Sequence, residues 1–232
     1  MWQAQIEDFS KDFECFAPDF RGIGKTSDFT DKPSLQILAG DLAHWLEKVE
    51  IYGPITLIGL SMGGYVALEF AHQFPQFLGQ LILCDTRADA DSNEAKKARN
   101  EMISFAKNSA GRAIAHKMVP RLLGETTLRE TPRIGQTVKQ IASPNSGENL
   151  AQLLAAMRDR RDSTEFLPQI TVPTLVLGGR EDAVSNPEVM AKMAAQIPNA
   201  RHMIIEGAGH LSNLEKPTEF NAALRAFLNR KK

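Results

Sequence analysis

The sequence predicts an α/β domain: a mostly parallel sheet with helices on both faces, interrupted by a helical insertion. Three observations predict it. Short apolar runs alternate with amphipathic helical stretches in both halves of the chain, the pattern of strand–helix units that build a parallel sheet. One of these runs, Leu81-Ile82-Leu83-Cys84, is apolar at every position rather than every second one, as strands covered on both faces are. Between Arg87 and Arg161 the texture changes to Ala, Lys, Arg, Glu and Asn with Met and Leu at helical intervals, and no convincing strand occurs. The expected division is a core of residues 1–86 and 162–232 with a helical cap of residues 87–161.

Along the chain, Trp2, Ile6 and Phe9 mark a weak helical stripe over Trp2–Lys11. Glu14–Pro18 reads as a short strand built on Cys15, Phe16 and Ala17. A glycine-punctuated loop, Arg21 to Ser27, follows. Leu35, Leu38, Leu42, Trp45, Leu46 and Val49 then recur at three- and four-residue steps, giving a helix over Pro33–Ile51 with Pro33 suited to its first turn. Ile55-Thr56-Leu57-Ile58 is a compact strand. The stretch from Met62 to Phe74 is apolar almost all round, as buried helices are, and Pro75 ends it. In the insertion, Gly111, Pro120, Gly124, Pro132 and Pro144 are expected to separate several short helices. Strand character returns at Thr174–Leu177 and at His202–Ile205, with a helix from Pro187 to Ile197 between them. A last helix starts at Pro217 and lines up Phe220, Ala223, Leu224, Phe227 and Leu228.

Composition excludes several classes of function. The 232 residues carry 27 Lys+Arg against 28 Asp+Glu, a net charge of −1, so there is no basic excess to attract nucleic acid. No apolar run reaches the roughly 18–20 residues that cross a membrane. Met1–Asp12 bears acids and aromatics where a secretory signal would have a basic segment and then an apolar one. Cys15 and Cys84 are too few for a disulfide framework and fit a reducing, cytoplasmic compartment.

The sharpest local signal is Gly59-Leu60-Ser61-Met62-Gly63, followed by Gly64. A nucleophilic serine has to stand clear of the sheet edge. A sharp strand-to-helix turn does this, and small residues two before and two after the serine relieve the crowding it causes. Here an apolar strand precedes the motif and an apolar helix opens at Met62, as such a turn requires. A serine nucleophile needs a general base, and the base an orienting acid. Among the five histidines, His210 lies on a loop just beyond the last strand, where parallel α/β sheets place their sites. His44 and His72 fall within helices, His116 in the insertion, and His202 at a strand start. The acid is expected after the penultimate strand, where Asp182 sits; Glu181 beside it and Asp85 after the preceding strand are the competing carboxylates.

Four segments carry a resemblance to the α/β-hydrolase superfamily: Ala17-Pro18-Asp19-Phe20-Arg21-Gly22-Ile23-Gly24, the Gly59–Gly63 turn, Val172 through Asp182, and Gly207-Ala208-Gly209-His210 with Glu215-Lys216-Pro217. The order Ser61, Asp182, His210 is also that family's order. His210 to Pro217 resembles the small-esterase and enol-lactonase branch and is similar to non-haem haloperoxidase-like perhydrolases. The resemblance implies a Ser61–His210–Asp182 triad, the Met62 N–H as an oxyanion donor, and a small carboxylic ester or lactone as substrate. Peroxide in place of water would make the same triad a perhydrolase. No cofactor or metal is implied. Gly22-Ile23-Gly24-Lys25-Thr26 imitates a phosphate-binding loop, but Asp19 stands where that loop needs glycine. Arg21 is expected to pair locally with carboxylates or carbonyls. Arg158, Arg160 and Arg161, interleaved with acids, read as solvated helix faces, and Met102, Phe105, Met118, Leu122, Leu154 and Met157 as cap core or acyl-pocket lining.

Relatives carry, ahead of their first helix, three strands and a His-Gly loop that supplies a second oxyanion donor. This chain begins where relatives enter that helix. The strand at Glu14–Pro18 therefore lacks its usual neighbour beside Ile55–Leu60. Three outcomes are expected: that strand moves across to pair with the elbow strand, a second copy covers the edge as a homo-oligomer, or the chain is an N-terminally shortened hydrolase. Loss of one oxyanion donor typically lowers the rate by about 10²–10³, so a catalytically impaired protein that binds a small apolar ligand is the alternative reading.

Overall fold

Four parallel strands form the sheet: β1 (Ile55–Leu60), β2 (Leu78–Cys84), β3 (Thr174–Gly179) and β4 (Ala200–Ile205), side by side in chain order. The computed structural model describes residues 1–229. Side chains alternate across the sheet. Leu81, Leu83 and Val176 pack with α2 (Leu35–Lys48), α3 (Met62–Gln73) and α9 (Pro187–Ala195) on one face. Ile82, Cys84, Leu175, Leu177 and Ile205 pack with α1 (Gln3–Phe9) and α11 (Pro217–Leu228) on the other. Both faces are covered, which is why β2 and β3 have to be apolar at successive positions.

Helix ends follow their caps. The Ser34 side chain accepts from the Ile37 N–H, so α2 begins one residue later, at Leu35. The Asn186 side chain accepts from the Val189 N–H at 3.0 Å, and Pro187 occupies the first turn of α9. Replacing Asn186 by alanine is expected to destabilise the protein by about 1 kcal/mol, read as a lower urea midpoint at unchanged slope. An unchanged midpoint would mean that the cap contributes nothing.

Five α-helices lie between β2 and β3: α4 (Asn93–Lys107), α5 (Gly111–Leu122), α6 (Glu125–Glu130), α7 (Arg133–Ala142) and α8 (Gly147–Arg158). Gly111, Gly124, Pro132 and Pro144 fall at their starts or between them, as expected. Pro120 does not break its helix; it lies inside α5, two residues before its end. Ala106, Ile114, Ala151 and Leu154 form a small core of their own, against which Met102, Phe105, Met118 and Met157 pack. Leu122 packs instead with the sheet-face cluster.

Two more expectations fail. Glu14–Pro18 is not a strand: the segment has no ladder partner among the described residues and lies largely exposed, with Phe16 edge-on to Trp45 at 5.4 Å. A strand is stable only when a neighbour takes its backbone groups, and among the described residues β1 pairs with β2 alone. The segment has not moved across to the elbow strand. Arg160 is also not on a solvated face. It is buried, stacked over the Tyr65 ring and hydrogen-bonded to Asp91 and the Asp89 carbonyl. Arg161 reaches Glu69 in α3. These pairs fasten the end of the insertion to the core, a long-range arrangement that local charge interleaving does not reveal. No helix among the described residues is long and apolar enough to cross a membrane.

Candidate active site

Ser61 occupies the single-residue turn between β1 and α3, with φ 53° and ψ −115°. A non-glycine residue held there costs about 1–3 kcal/mol and persists only when its surroundings over-determine it. They do. The Ser61 N–H donates to the Cys84 carbonyl at 2.9 Å, and the Thr86 hydroxyl donates to the Ser61 carbonyl at 2.9 Å. A Cβ on Gly59 would overlap the Gly63 carbonyl, and one on Gly64 would come within 2.5 Å of the Thr86 hydroxyl. Gly59 and Gly64 are therefore the glycines the turn needs. Gly63 is not, since a Cβ there meets nothing within 4 Å. The expected small residue two after the serine is replaced in that role by the next one.

The loops after β3 and β4 bring Asp182 and His210 to the same edge. His210 Nε2 is 2.7 Å from Ser61 Oγ, and His210 Nδ1 is 2.8 Å from Asp182 Oδ2. Both partners of that second contact are buried, His210 at 2% and Asp182 at 3% exposure. The other Asp182 oxygen accepts the N–H groups of Val184 at 2.7 Å and Ser185 at 2.9 Å. Burial alone would raise the Asp182 carboxyl, but the hydrogen bond from His210, its charge and the two backbone donors outweigh that and hold it below its usual range. An ionised Asp182 fixes the imidazole with Nδ1 protonated and leaves Nε2 to accept from the serine hydroxyl. Met62 is the first residue of α3, so its N–H has no acceptor within the helix.

The competing carboxylates point elsewhere. Glu181 accepts from the Thr126 N–H at 2.9 Å and its hydroxyl at 2.6 Å, gripping the start of α6. Asp85 is fully buried and accepts from the Gly179 N–H and the Ser212 hydroxyl. Arg21 pairs with both carboxylate oxygens of Asp41, the local role expected of it. Among the described residues no group of three His, Cys, Asp or Glu side chains is gathered as a metal would need.

Residues that sequence reasoning left without a role frame the site. Glu215, in the short α10 (Ser212–Glu215), accepts from the Gly124 N–H at 2.8 Å and the Leu211 N–H at 3.0 Å, while the His210 N–H donates to the Leu122 carbonyl at 3.0 Å. The turn between α5 and α6 is thus bound to the loop that carries His210. Neither periodicity nor a motif signals such a clamp, because its two sides are 91 positions apart.

A serine at a strained strand–helix turn, with a carboxylate and a histidine delivered by the loops after β3 and β4 of a parallel sheet, defines an α/β-hydrolase, and the family described as the alpha/beta hydrolase fold matches residues 1–217. The chain belongs to that family. It is similar to a thermophilic esterase from Thermogutta terrifontis, with 39% identity and a TM-score of 0.93 over 98% of this chain and 84% of that one. It is similar to the 3-oxoadipate enol-lactonase 2 of Acinetobacter baylyi, 27% identical over 99% of this chain and 84% of the relative. The enol-lactonase from Burkholderia xenovorans LB400 shares 25% identity and a TM-score of 0.88 over 99% of this chain and 86% of that one.

Proposed function

We propose that the protein is a serine hydrolase that cleaves a small carboxylic ester or lactone through an acyl-enzyme. The observation that carries this reading is the unbroken hydrogen-bond chain from Asp182 through His210 to Ser61. Ser61 Oγ attacks the substrate carbonyl as His210 Nε2 takes its proton. Asp182 stabilises the imidazolium that results. The Met62 N–H donates to the oxyanion, and the proton on Nε2 passes to the leaving alkoxide. A water then loses a proton to His210, attacks the acyl carbon and releases the carboxylic acid with Ser61 restored. In a lactone the leaving alkoxide stays tethered to the acyl group, so one molecule of hydroxy acid leaves. Esterase and enol-lactonase relatives support the same chemistry. Residues 87–161 act as the cap over the acyl group in this reading, and the Glu215 and Glu181 clamps hold that cap against the His210 loop.

The test is stoichiometric labelling by a fluorophosphonate, followed by mass mapping. The probe's mass is expected on the peptide containing Ser61. A protein that hydrolyses a short p-nitrophenyl ester but takes the label elsewhere would overturn the assignment. One that neither labels nor hydrolyses would favour the ligand-binding reading.

A further inference from the structure

Asp85 is a carboxyl with no solvent exposure and no salt-bridge partner among the described residues. It follows β2 directly, in a left-handed backbone conformation with φ 46°. Its Oδ1 accepts the Gly179 N–H at 2.9 Å and its Oδ2 accepts the Ser212 hydroxyl at 2.5 Å. Gly179 is the last residue of β3, three positions before Asp182. Ser212 opens α10, two positions after His210. The flanking residues hold the third loop: Cys84 accepts the Ser61 N–H and Thr86 donates to the Ser61 carbonyl. Cys84-Asp85-Thr86 therefore touches the backbone or side chains of all three loops that meet at the site.

We propose that Asp85 is a positioning residue, which sets His210 against Asp182 and Ser61 by holding Ser212 and Gly179 at fixed spacing. This rests on reading Ser61, His210 and Asp182 as the triad. The physical reason is leverage. The two loops leave adjacent parallel strands, and only cross-links beyond the strand ends keep them in register. A displacement of a few tenths of an ångström at His210 lengthens both of its hydrogen bonds, and misplacement of about 1 Å can lower a rate by 10²-fold. Asp85 also acts through charge. The groups facing it are the His210 ring, the Asp182 carboxylate, the Cys84 thiol and the Ser212 hydroxyl. Burial pushes Asp85 up to about 7, with His210 and the Ser212 hydrogen bond opposing that rise and Asp182 adding to it. As Asp85 ionises it favours the imidazolium form of His210.

Three substitutions in the full chain separate these effects. Ser212→Ala removes one tie, Ser212→Thr keeps the hydroxyl, and Asp85→Asn keeps the shape while deleting the charge. For hydrolysis of p-nitrophenyl butyrate, Ser212→Ala is expected to lower kcat about 10-fold with KM within about twofold, and Ser212→Thr to recover most of it. Asp85→Asn is expected to move the upper part of the kcat/KM acid limb, near pH 7 where Asp85 becomes charged, to lower pH by about a few tenths of a unit, since the imidazolium there loses a neighbouring negative charge. A structural role alone would lower the melting temperature and leave that limb in place. Wild-type kcat in Ser212→Ala together with an unmoved limb in Asp85→Asn overturns the proposal, whatever their melting temperatures. Ser61→Ala run alongside keeps the two readings apart. If it stays active the triad reading fails; if it is inactive while the other variants match wild type, only the role of Asp85 fails.

Discussion

Replacing Ser61 by alanine is expected to lower kcat for a short p-nitrophenyl ester by at least about 10⁴-fold, with little change in melting temperature. The hydroxyl removed is the atom 2.7 Å from His210 Nε2, so the variant keeps the base and its orienting acid but has no nucleophile. Alanine tolerates the Ser61 backbone conformation no worse than serine does, and the ties to Cys84 and Thr86 run through the backbone of residue 61. The fold should therefore persist while turnover stops. Members of a triad act as a unit, so His210→Ala is expected to cost nearly as much, and the double variant little more than either. A Ser61→Ala protein that retained more than a few per cent of wild-type kcat would remove Ser61 from the mechanism.

Gly59→Ala is expected to destabilise the protein by about 3 kcal/mol or more and to abolish labelling at Ser61. A Cβ at this position would run into the Gly63 carbonyl and come within 2.8 Å of the Gly64 nitrogen. These are backbone atoms in the first turn of α3, so no rotamer change gives relief. The helix itself cannot retreat, because Val66, Leu68 and Phe70 along it are buried to 1% exposure or less. Relief has to come from separating β1 and α3, which carries Ser61 away from His210. Gly63→Ala is the control: with no atom within 4 Å of its Cβ, it is expected to fold and label normally. Urea unfolding with labelling read on the same samples decides it, and a Gly59→Ala protein as stable as wild type would contradict the packing argument.

Much of the fold was legible in the chain. The strands at residues 55, 81, 174 and 202 announced themselves as apolar runs because both faces of the sheet are covered, and the structure extends them by only a few residues to their observed bounds. The segment at Glu14–Pro18 has the same local character and is not a strand. Its composition could report only on its own preference, whereas strand formation depends on a neighbour's backbone. Arg160 shows the same limit in polar form. Interleaved charges suggest a wet surface, yet its partner Asp91 lies 69 positions away and the two side chains are buried against each other.

The sequence by itself determined the family, the alternating architecture, and the residue types and order of Ser61, Asp182 and His210. Those properties are written in local patterns: an apolar strand, a glycine-lined turn, and a polar residue just past a strand end. The tertiary structure decided that the expected Asp182 meets the histidine while its competitor Glu181 grips the insertion, and that Asp85 ties together the loops that follow β3 and β4. Glu181 and Asp182 are neighbours in the chain, so no spacing rule separates them. What does separate them is the direction of each side chain as the chain leaves β3 and the donors waiting there, the Thr126 hydroxyl for one and the His210 ring for the other. Hydrogen bonds act over about 3 Å, and only the folded chain brings groups so far apart in sequence within that reach.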